Sequence, residues 1–488
     1  MSALHFTALL LALLGPLLAL AQLLRLPATL LLFASGLVTA FLPGLPPLQM
    51  DPQMLMLLFL PPILYASTAR VTWHLLRHTL MPGALAGAVV ALTTMLAVAA
   101  VAHWLLPSLG WPSSLLLGVI AALFDTRLFH EAVGRPKVPR IIADRLKARE
   151  MAARVVALAG FVLVLQTLTE GHAPSAADMA LGLAWSLLGG AIAGLAIGRA
   201  VVWLRAWAEP PPVEIAISIA TPYLCALAAA WLGLSVVVLI MAAALTVSAA
   251  RVDRETGAPG TSPEALISAV AFWEVASLLV SSLLYFLAGR ALLGALSALD
   301  DWPLWHTAGA AAAILVLVLG IEFLAGLASA VEPRAAGATR RRVVAAAVLA
   351  WASTRSVIGL IVALSVPAVP GIATERDLVL VVATLVVLGS VLVQGMTLGP
   401  AVGAAALGDA TEEQQEQELA VRAARDAAAE AGEGGDTFAA ARRASIRLRE
   451  EDRIGDEVLH KTLRETDIKA RASEGPAAAL PGAGPPNP

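Results

Sequence analysis

Charge and cysteine are both scarce in this chain. Only 14% of its 488 residues are Asp, Glu, Lys or Arg, whereas 58% are hydrophobic. A soluble protein of this composition cannot hide its apolar side chains in a core and still present a polar surface to water. The single cysteine, Cys225, excludes a disulfide within the chain and argues against zinc or iron–sulfur centres. The composition therefore indicates a membrane protein without redox chemistry.

The motifs of soluble enzymes are also missing. The sequence contains no phosphate-cradling glycine loop and no nucleophile elbow. Its eight histidines do not cluster at the spacing of metal ligands. We therefore expect no catalytic residues, no cofactor, no bound metal and no nucleic-acid partner.

Long apolar runs fill most of the sequence. An α-helix needs about 20 apolar residues to cross ~30 Å of hydrocarbon at 1.5 Å per residue. About thirteen runs approach or exceed this length, which predicts an all-α polytopic membrane protein. The predicted spans are residues 2–24, 26–43, 52–68, 79–106, 113–129, 150–169, 178–203, 212–231, 233–250, 263–292, 304–328, 343–366 and 376–403.

Positive charge is concentrated in alternate loops between these runs. The basic positions are Arg25, Arg70, Arg77, the cations from Arg127 to Arg149, Arg205, Arg251, Arg254, Arg334 and Arg340 to Arg342. The other loops are nearly free of Lys and Arg. By the positive-inside rule the basic loops face the cytoplasm, so we expect a multi-pass protein with its N-terminus outside and its C-terminus cytoplasmic.

The two ends of the chain differ in character. Ala19 and Ala21 before Gln22 resemble a signal-peptide cleavage site, but no Lys or Arg precedes this apolar run, so a first membrane span is favoured. Hydrophobicity falls after Leu407, which divides the chain into a transmembrane domain, residues 1–407, and a cytoplasmic tail, residues 408–488. The tail begins with a capping box at Thr411, is rich in Ala, Glu and Arg, and is expected to be helical and then disordered from about residue 475.

Ionisable residues inside the predicted spans are the strongest functional signal. A transporter or channel is the default interpretation of so many spans, and an ionisable group inside the membrane, which costs ~2.5–3.5 kcal/mol at a helix centre, marks its pathway. Asp125, Arg154 and Arg355 lie inside the fifth, sixth and twelfth spans, so we expect them in a buried site. Glu214 and Glu274 lie at the cytoplasmic ends of the eighth and tenth spans, where an interfacial carboxylate is as compatible as a functional one.

A series of short motifs follows the predicted spans in order. They are Leu24-Arg25-Leu26-Pro27-Ala28, Leu58 to Leu64, His103-Trp104 before Gly110-Trp111-Pro112, Val138-Pro139-Arg140, Pro222-Tyr223-Leu224, Leu232 to Ser235, Phe272-Trp273-Glu274, Ala350-Trp351 with Arg355, and Val393 to Leu398. Their order and spacing resemble the bacterial sodium/proton exchangers of the monovalent cation:proton antiporter superfamily, over almost the whole chain.

This resemblance implies a particular fold and activity. The fold is one of inverted repeats, with a dimerisation domain and a transport core in which the interrupted fifth and twelfth spans cross at mid-membrane. The activity is exchange of monovalent cations for protons by a homodimer in the lipid of the bacterial inner membrane. Thr126 replaces the family's Pro and residues 352–356 replace a Gly-rich segment, so both interruptions are weakly encoded here.

The ion site that the resemblance implies is only partly kept. Asp125 matches the family's Asp, Ala66 replaces a Glu, and Ala153-Arg154 replaces the ion-binding Asn-Asp pair of the family's sixth span. The candidates for the ion and proton pathway are Asp125, Thr126, Glu150, Arg154 and Arg355. The structural or gating candidates are Lys147, Arg149, Glu214, Glu274 and Ser281.

Arg154 changes the chemistry expected of this site. A cation/proton exchange site needs oxygen ligands and a carboxylate that is protonated in alternation with ion binding. A guanidinium does not release its proton in such a cycle, so Arg154 resembles a permanently bound cation. We expect Arg154 to pair with Asp125. The resemblance implies a Glu as the partner of Arg355, but Arg149 occupies the position of that Glu. Glu150, one residue further along, is an available partner.

Three functions remain open at this point. The chain is a working cation/proton antiporter that uses Asp125 with rearranged ligands, a degenerate member that serves as a membrane scaffold or regulator, or a transporter whose site takes an anion through Lys147, Arg149 and Arg154. A basic cytoplasmic loop, with the alignment slipped by one helical turn, is an alternative explanation of those three cations. The motif from Val138 to Arg140 argues against such a slip.

Overall fold

The computed structural model describes most of the chain. The described residues are 3–24, 27–42, 51–69, 71, 79, 81–126, 140–170, 175–207, 211–250, 263–299, 303–329, 338–367, 373–405, 410–432, 436–451 and 453–474. Several sequence-based predictions lie outside them, namely the basic positions Arg25, Arg70, Arg77, Arg127, Arg251, Arg254 and Arg334, the motif residues Val138 and Pro139, the proposed boundary at Leu407 and the tail from residue 475.

Helices make up nearly all of the described structure. Those of the apolar part are α1 (Ala3–Leu24), α2 (Ala28–Ala40), α3 (Pro52–Thr68), α4 (Met81–Leu105), α5 (Trp111–Ala122), α6 (Arg140–Glu170), α7 (Ala176–Ala184), α8 (Gly190–Arg205), α9 (Pro211–Leu232), α10 (Val236–Ala249), α11 (Pro263–Ser297), α12 (Leu304–Ser329), α13 (Ala338–Ala352), α14 (Val357–Leu364), α15 (Ala373–Ser390) and α16 (Met396–Ala405). A π-helical turn joins α7 to α8 at Trp185–Gly189, and another joins α15 to α16 at Val391–Gly395.

The helices follow the predicted apolar runs closely. In the described residues, seven helical stretches are long and apolar enough to cross a membrane, and shorter apolar helices accompany them. The largest difference is at α6, which begins at Arg140 rather than at the predicted residue 150. Its first turns are rich in Arg, Lys and Glu, which lower hydropathy but are good helix formers. Hydropathy therefore locates the apolar part of α6 and misses its charged beginning.

Two helices are interrupted at the centre of the fold. α5 is followed by a short strand, β1 (Phe124–Asp125), and α13 by β2 (Thr354–Arg355). The two strands pair antiparallel, with Phe124 opposite Arg355 and Asp125 opposite Thr354. This is the crossing that the resemblance implies for the fifth and twelfth spans. We call this paired segment the crossing.

Hydrogen bonds maintain the crossing where proline and glycine are missing. The Thr354 hydroxyl donates to the Asp125 carbonyl at 2.9 Å. The Ser356 side chain caps α14 by accepting from the amide of Ile358 at 3.2 Å. Serine and threonine side chains thus satisfy backbone groups that a continuous helix would pair internally.

The crossing lies inside a layer of packed helices. α6 packs against α4, α5 and α10, and α15 packs against α5, α12 and α14. In the stretch that contains α15, 72% of the apolar window is buried, compared with 11% for the stretch of α7 and α8. α15 is therefore a core helix, whereas α7 and α8 leave most of their surface uncovered by the rest of the described chain.

The tail forms a small helical unit of its own. Its helices are α17 (Ala410–Ala431), α18 (Thr437–Glu450) and α19 (Asp456–Glu474). Leu448, Ile454 and Val458 belong to their shared apolar core. α17 ends at Gly432, whose φ of 62° lies in the left-handed region that glycine adopts without strain. The helix therefore breaks at this glycine.

Among the described residues, both α18 and α19 of the tail contact the apolar part of the chain. α19 packs against α11. Arg449 of α18, which is almost fully buried, places its Nη2 atom 3.6 Å from the Asp144 Oδ2 atom in the first turns of α6. The tail and the beginning of α6 are therefore on the same face of the molecule.

Candidate functional site

The charged residues of α6 surround the crossing. Lys147, Glu150 and Arg154 are spaced three and four residues apart, so they share one face of the helix. This face turns toward β1 and toward α3. Arg149 projects from an adjacent face toward α12. One helix therefore supplies two groups of charges to the same region.

Glu150 is the centre of the first group. Its side chain is fully buried. Its Oε2 atom accepts hydrogen bonds from the Thr126 hydroxyl at 2.6 Å and from the Lys147 ammonium at 3.2 Å. Its Oε1 atom forms an ion pair with the Arg154 guanidinium. One hydroxyl and two cationic side chains thus surround this buried carboxylate.

Arg154 reaches from α6 to two other elements. Its Nη1 atom donates to the Ser67 hydroxyl of α3 at 2.6 Å. Its Nη2 atom lies 3.9 Å from the Asp125 Oδ2 atom. The predicted pairing of Arg154 with Asp125 is therefore present as a long ion pair, and the shorter one is with Glu150. The ion pair with Glu150 is the shorter one because Glu150 lies four residues, about one helical turn, before Arg154 on the same helix.

The second group is centred on a residue that the sequence analysis misses. Glu322 of α12 is buried, forms an ion pair with Arg149, and places its Oε1 atom 3.8 Å from the Arg355 Nη2 atom. The sequence leaves Glu150 as an available partner of Arg355, but the carboxylate that lies beside Arg355 comes from α12. Glu322 is the only Asp or Glu in α12, and a search of apolar runs for single ionisable residues finds it.

Arg355 also caps the interrupted helices. Its guanidinium donates to the carbonyls of Ala121 and Ser353, where α5 and α13 end. It lies 5.5 Å from the centre of the Phe124 ring. A cation placed on the last carbonyls of two half-helices satisfies orphan acceptors and offsets the negative ends of both helix dipoles.

Two side chains of this region are partly exposed. Asp125 is 18% exposed and Lys147 is 19% exposed, whereas the side chains of Arg154 and Glu150 are 2% and 0% exposed. Asp125 and Lys147 are therefore the more accessible members of this group, and Glu150 and Arg154 are its buried members. Within the described part of the chain, no three His, Cys, Asp or Glu side chains stand together as a metal centre requires.

The other gating candidates lie on neighbouring helices. Glu214 is buried in the first turn of α9, and no ion pair joins it to the charges of α6 among the described residues. Glu274 is exposed on α11. Ser281 is buried on α11, a helix that packs against α2, α3, α9, α14 and α15. The crossing therefore brings together the five pathway candidates with Lys147 and Arg149, but not Glu214 or Glu274.

Comparison with known proteins identifies the family of this chain. The model of the transmembrane sodium/hydrogen exchanger family matches residues 9–404. The chain belongs to the sodium/hydrogen exchanger family. Its relatives include an uncharacterized Na⁺/H⁺ exchanger of Mycobacterium bovis, 27% identical over 388 residues that cover 75% of this chain and 68% of that protein. They also include the Na⁺/H⁺ antiporter NhaP of Pseudomonas aeruginosa, 27% identical over 400 residues that cover 78% of this chain and 91% of that protein.

A solved exchanger structure shares the fold. The sodium proton antiporter MjNhaP1 of Methanocaldococcus jannaschii superposes with a TM-score of 0.62 at 15% identity, covering 83% of this chain and 99% of that one. At this identity the likeness establishes the shared fold alone. The resemblance seen in the short sequence motifs is thus confirmed for the family and for the overall architecture.

Proposed function

We propose that this exchanger-family chain is a secondary active transporter that exchanges a monovalent cation for protons across the bacterial cell membrane. The observation that carries the proposal is the meeting of two carboxylates, Asp125 and Glu150, beside the paired strands of two interrupted helices. Family membership and relatives named as Na⁺/H⁺ antiporters support the same activity. Such transport moves ions and makes no covalent change, so we do not assign an enzymatic activity.

The chemistry of the site suits a small cation. Carboxylate and hydroxyl oxygens are hard ligands, and the site offers them from Asp125, Glu150, Thr126 and Ser67. Arg154 is a fixed positive charge between the two carboxylates and offsets their mutual repulsion. The partly exposed edge of Asp125 provides the entrance for the ion. In this proposal Arg154 occupies the position of the family's ion-binding Asp and supplies a positive charge that offsets Asp125 and Glu150.

The scaffold and anion interpretations have less support. A scaffold has no need for buried carboxylates at the crossing, since ionised groups there are costly to keep. An anion that approached Lys147, Arg149 and Arg154 would be repelled by the negative charges of Asp125 and Glu150. The relatives named above are sodium/proton exchangers and antiporters, which favours a cation.

We further propose the architecture that the family resemblance implies. It comprises thirteen membrane passes arranged as inverted repeats, with a dimerisation domain and a core domain, in a homodimer within the lipid bilayer. The N-terminus lies outside, and the tail, residues 408–488, forms a cytoplasmic domain. The cationic ends of α8 and α13 and the contact of Arg449 with the beginning of α6 support one cytoplasmic face.

A preset proton gradient tests the proposed activity. Inverted vesicles from a host that lacks its own antiporters should lose the gradient on addition of sodium, lithium or potassium ions when they contain the full-length chain. Asp125→Asn should reduce this response about tenfold or more, because the amide cannot carry the negative charge that attracts the cation. Asp178→Asn, at the exposed start of α7, is the matched control and should retain it.

The outcomes separate the three functions. A response to cations that requires Asp125 supports exchange. A response only to a change of anion supports an anion transporter. If the chain is folded and inserted in the membrane but no ion changes the proton gradient, the result supports a scaffold and contradicts the proposal.

A further inference from the structure

One buried carboxylate near the crossing has no part in the cation site proposed above. The side chain of Glu322, on α12, is only 3% exposed. Among the described residues, its ion pairs are with Arg149 of α6 and with Arg355 of β2. A carboxylate buried in a membrane region is costly unless it is paired, so these two contacts are what keeps Glu322 in place.

The two arginines lie beside the two carboxylates of the proposed cation site. Arg149 directly precedes Glu150 on α6. Arg355 stands opposite Phe124 in the paired strands, and Phe124 directly precedes Asp125. A single carboxylate on α12 thus connects the two backbone segments that carry the ligands of the proposed site.

The packing of α12 holds Glu322 at a fixed place beside the crossing. α12 packs against α5 and α13, the two helices that end at the crossing. It approaches α13 closely at Gly326, four residues after Glu322, where an added Cβ atom would lie 2.9 Å from the Ala346 Cα atom. Such close packing leaves little room for α12 to shift against α13. The Glu322 carboxylate is therefore a fixed point for its partners.

Arg355 transfers this fixed position to the ends of the interrupted helices. Its guanidinium donates to the carbonyls of Ala121 and Ser353, near the ends of α5 and α13. Its Nη2 atom lies 3.8 Å from the Glu322 Oε1 atom. Without this carboxylate, Arg149 and Arg355 would lose the counter-charge that they share and would repel each other. The guanidinium of Arg355 and the strand β1 beside it would then shift relative to α6.

We propose that Glu322 is a positioning residue that sets the separation of Asp125 and Glu150, and thereby the affinity of the transporter for its cation. This role rests on the proposed exchange activity. Glu322 acts through Arg149 and Arg355 rather than by contact with the cation. Oxygen ligands bind a cation well only at the distance that its radius requires, so a change in their separation alters affinity and the preference among lithium, sodium and potassium ions.

The sodium dependence of proton movement in inverted vesicles tests this role. Glu322→Gln keeps the shape of the side chain and removes its charge, so the half-saturating sodium concentration should rise about fivefold or more. A merely structural role would instead lower the maximal rate, in proportion to the amount of folded chain, and leave the half-saturating concentration unchanged. Glu418→Gln, at an exposed ion pair on α17, is the matched control and should behave as the wild type.

A second substitution tests the connection between α6 and β2 itself. Arg149→Glu in the Glu322→Gln background places a carboxylate on α6, where the family resemblance implies the partner of Arg355. This carboxylate would join α6 to β2 directly, so the half-saturating sodium concentration should return to within about twofold of the wild type. A raised concentration that Arg149→Glu leaves unchanged would contradict the proposed connection.

Sodium binding by the purified full-length chain in detergent provides a measurement that does not depend on transport. Sodium chloride, compared with choline chloride, should raise the thermal unfolding temperature of the wild type, because a ligand of the folded state stabilises it. Glu322→Gln should need about fivefold more sodium for the same rise. Glu322→Asp keeps the charge on a shorter side chain, so it should alter the ratio of the half-saturating lithium and potassium concentrations.

The outcomes distinguish the role of Glu322 from the exchange activity. A half-saturating sodium concentration within about twofold of the wild type in folded Glu322→Gln would overturn the positioning role and leave the proposed exchange in place. A folded wild-type chain that responds to no cation in either measurement would overturn both. If Glu322→Gln does not fold, Glu322→Asp decides the question, because an unchanged lithium-to-potassium ratio in that variant would overturn the positioning role.

Discussion

The environment of Arg154 shows how one substitution reorganises a site at the scale of single residues. A guanidinium stands where the family resemblance implies a carboxylate, and the neighbouring Glu150 supplies a new carboxylate four residues earlier on the same helix. Ser67 of α3 and Asp125 complete its surroundings at 2.6 Å and 3.9 Å. Arg154 therefore links three elements that meet at the crossing, and its loss should affect stability as well as transport.

Double-mutant cycles measure these links. Arg154→Ala breaks the buried ion pair with Glu150 and leaves Lys147 as its cationic partner. Removing one partner of a buried pair typically costs about 3–5 kcal/mol, whereas removing both groups costs less. The coupling energy from thermal unfolding in detergent should be larger for Arg154 with Glu150 than for Arg154 with Asp125, because the first ion pair is shorter. Arg422→Ala, at an exposed pair on α17, should cost under about 1 kcal/mol. Additive losses in both cycles would show that Arg154 interacts with neither carboxylate.

Sequence reasoning identifies the charged residues around the crossing better than it identifies their partners. Asp125, Arg154 and Arg355 stand out because each is an ionisable residue within an apolar run. The pairing of Arg154 with Glu150 is local and follows from their spacing on one helix. The pairing of Arg355 with Glu322 depends on how α12 packs beside β2, which no local pattern in the sequence specifies.

At the scale of elements, the crossing depends on side chains that replace missing backbone hydrogen bonds. Gln394 is buried on the π-helical turn between α15 and α16. Its amide donates to the Trp351 carbonyl at 3.0 Å, near the end of α13, and it also accepts from Ser390. Ser390 in turn accepts from the Arg355 amide at 2.8 Å. The extra residue of a π-helical turn thus directs one side chain onto the end of a neighbouring half-helix.

Replacement of Gln394 tests this support. Gln394→Leu leaves buried carbonyls at the end of α13 without a donor and should lower the free energy of unfolding by about 1–3 kcal/mol. Gln394→Glu should be at least as harmful, because an ionised carboxylate offers acceptors where donors are needed. Gln166→Leu, at an exposed position of α6, is the matched control. Thermal unfolding of Gln394→Leu at the wild-type temperature would show that other groups hold this end of α13.

Element boundaries were largely predictable because the bilayer sets helix length. Apolar runs predicted α3 at residues 52–68 and α12 within one residue of its observed end. The interruptions at β1 and β2 were less predictable from local sequence. Thr126 and the segment from Ala352 to Ser356 contain neither proline nor glycine, so only the likeness to a family indicated a break there.

At the scale of the whole molecule, one ion pair connects the tail to the site helix. Arg449 of α18 contacts Asp144, which lies fewer than two helical turns before Glu150 on α6. This pair therefore joins the tail to α6 close to Lys147 and Glu150. Arg442 and Asp467 form a second buried pair, 2.7 Å apart, that holds α18 to α19 within the tail.

Removal of the Arg449 side chain should loosen the tail without unfolding it. Arg449→Ala should increase hydrogen exchange in the first turns of α6 about tenfold, which corresponds to about 1.4 kcal/mol of lost docking energy. Exchange inside α18 and α19 should change little, because Arg442 and Asp467 remain paired. The charge exchange Arg449→Asp with Asp144→Arg should restore protection, and Arg464→Ala, exposed on α19, should have no effect. Unchanged exchange in Arg449→Ala would contradict a restraint by this pair.

The shortness of the interrupted helices has a consequence for biosynthesis. α5 has 12 residues and α14 has 8 residues, so they extend about 18 Å and about 12 Å at 1.5 Å per residue. Neither length covers the hydrocarbon of a bilayer, and each half ends in open backbone groups that lipid cannot satisfy. β1 finds its hydrogen-bonding partner only when β2, more than two hundred residues later in the chain, has been synthesised. Most of the chain is therefore synthesised before α5 can complete its membrane crossing. Until then, the helices synthesised between β1 and β2 must cover the open backbone groups at the end of α5.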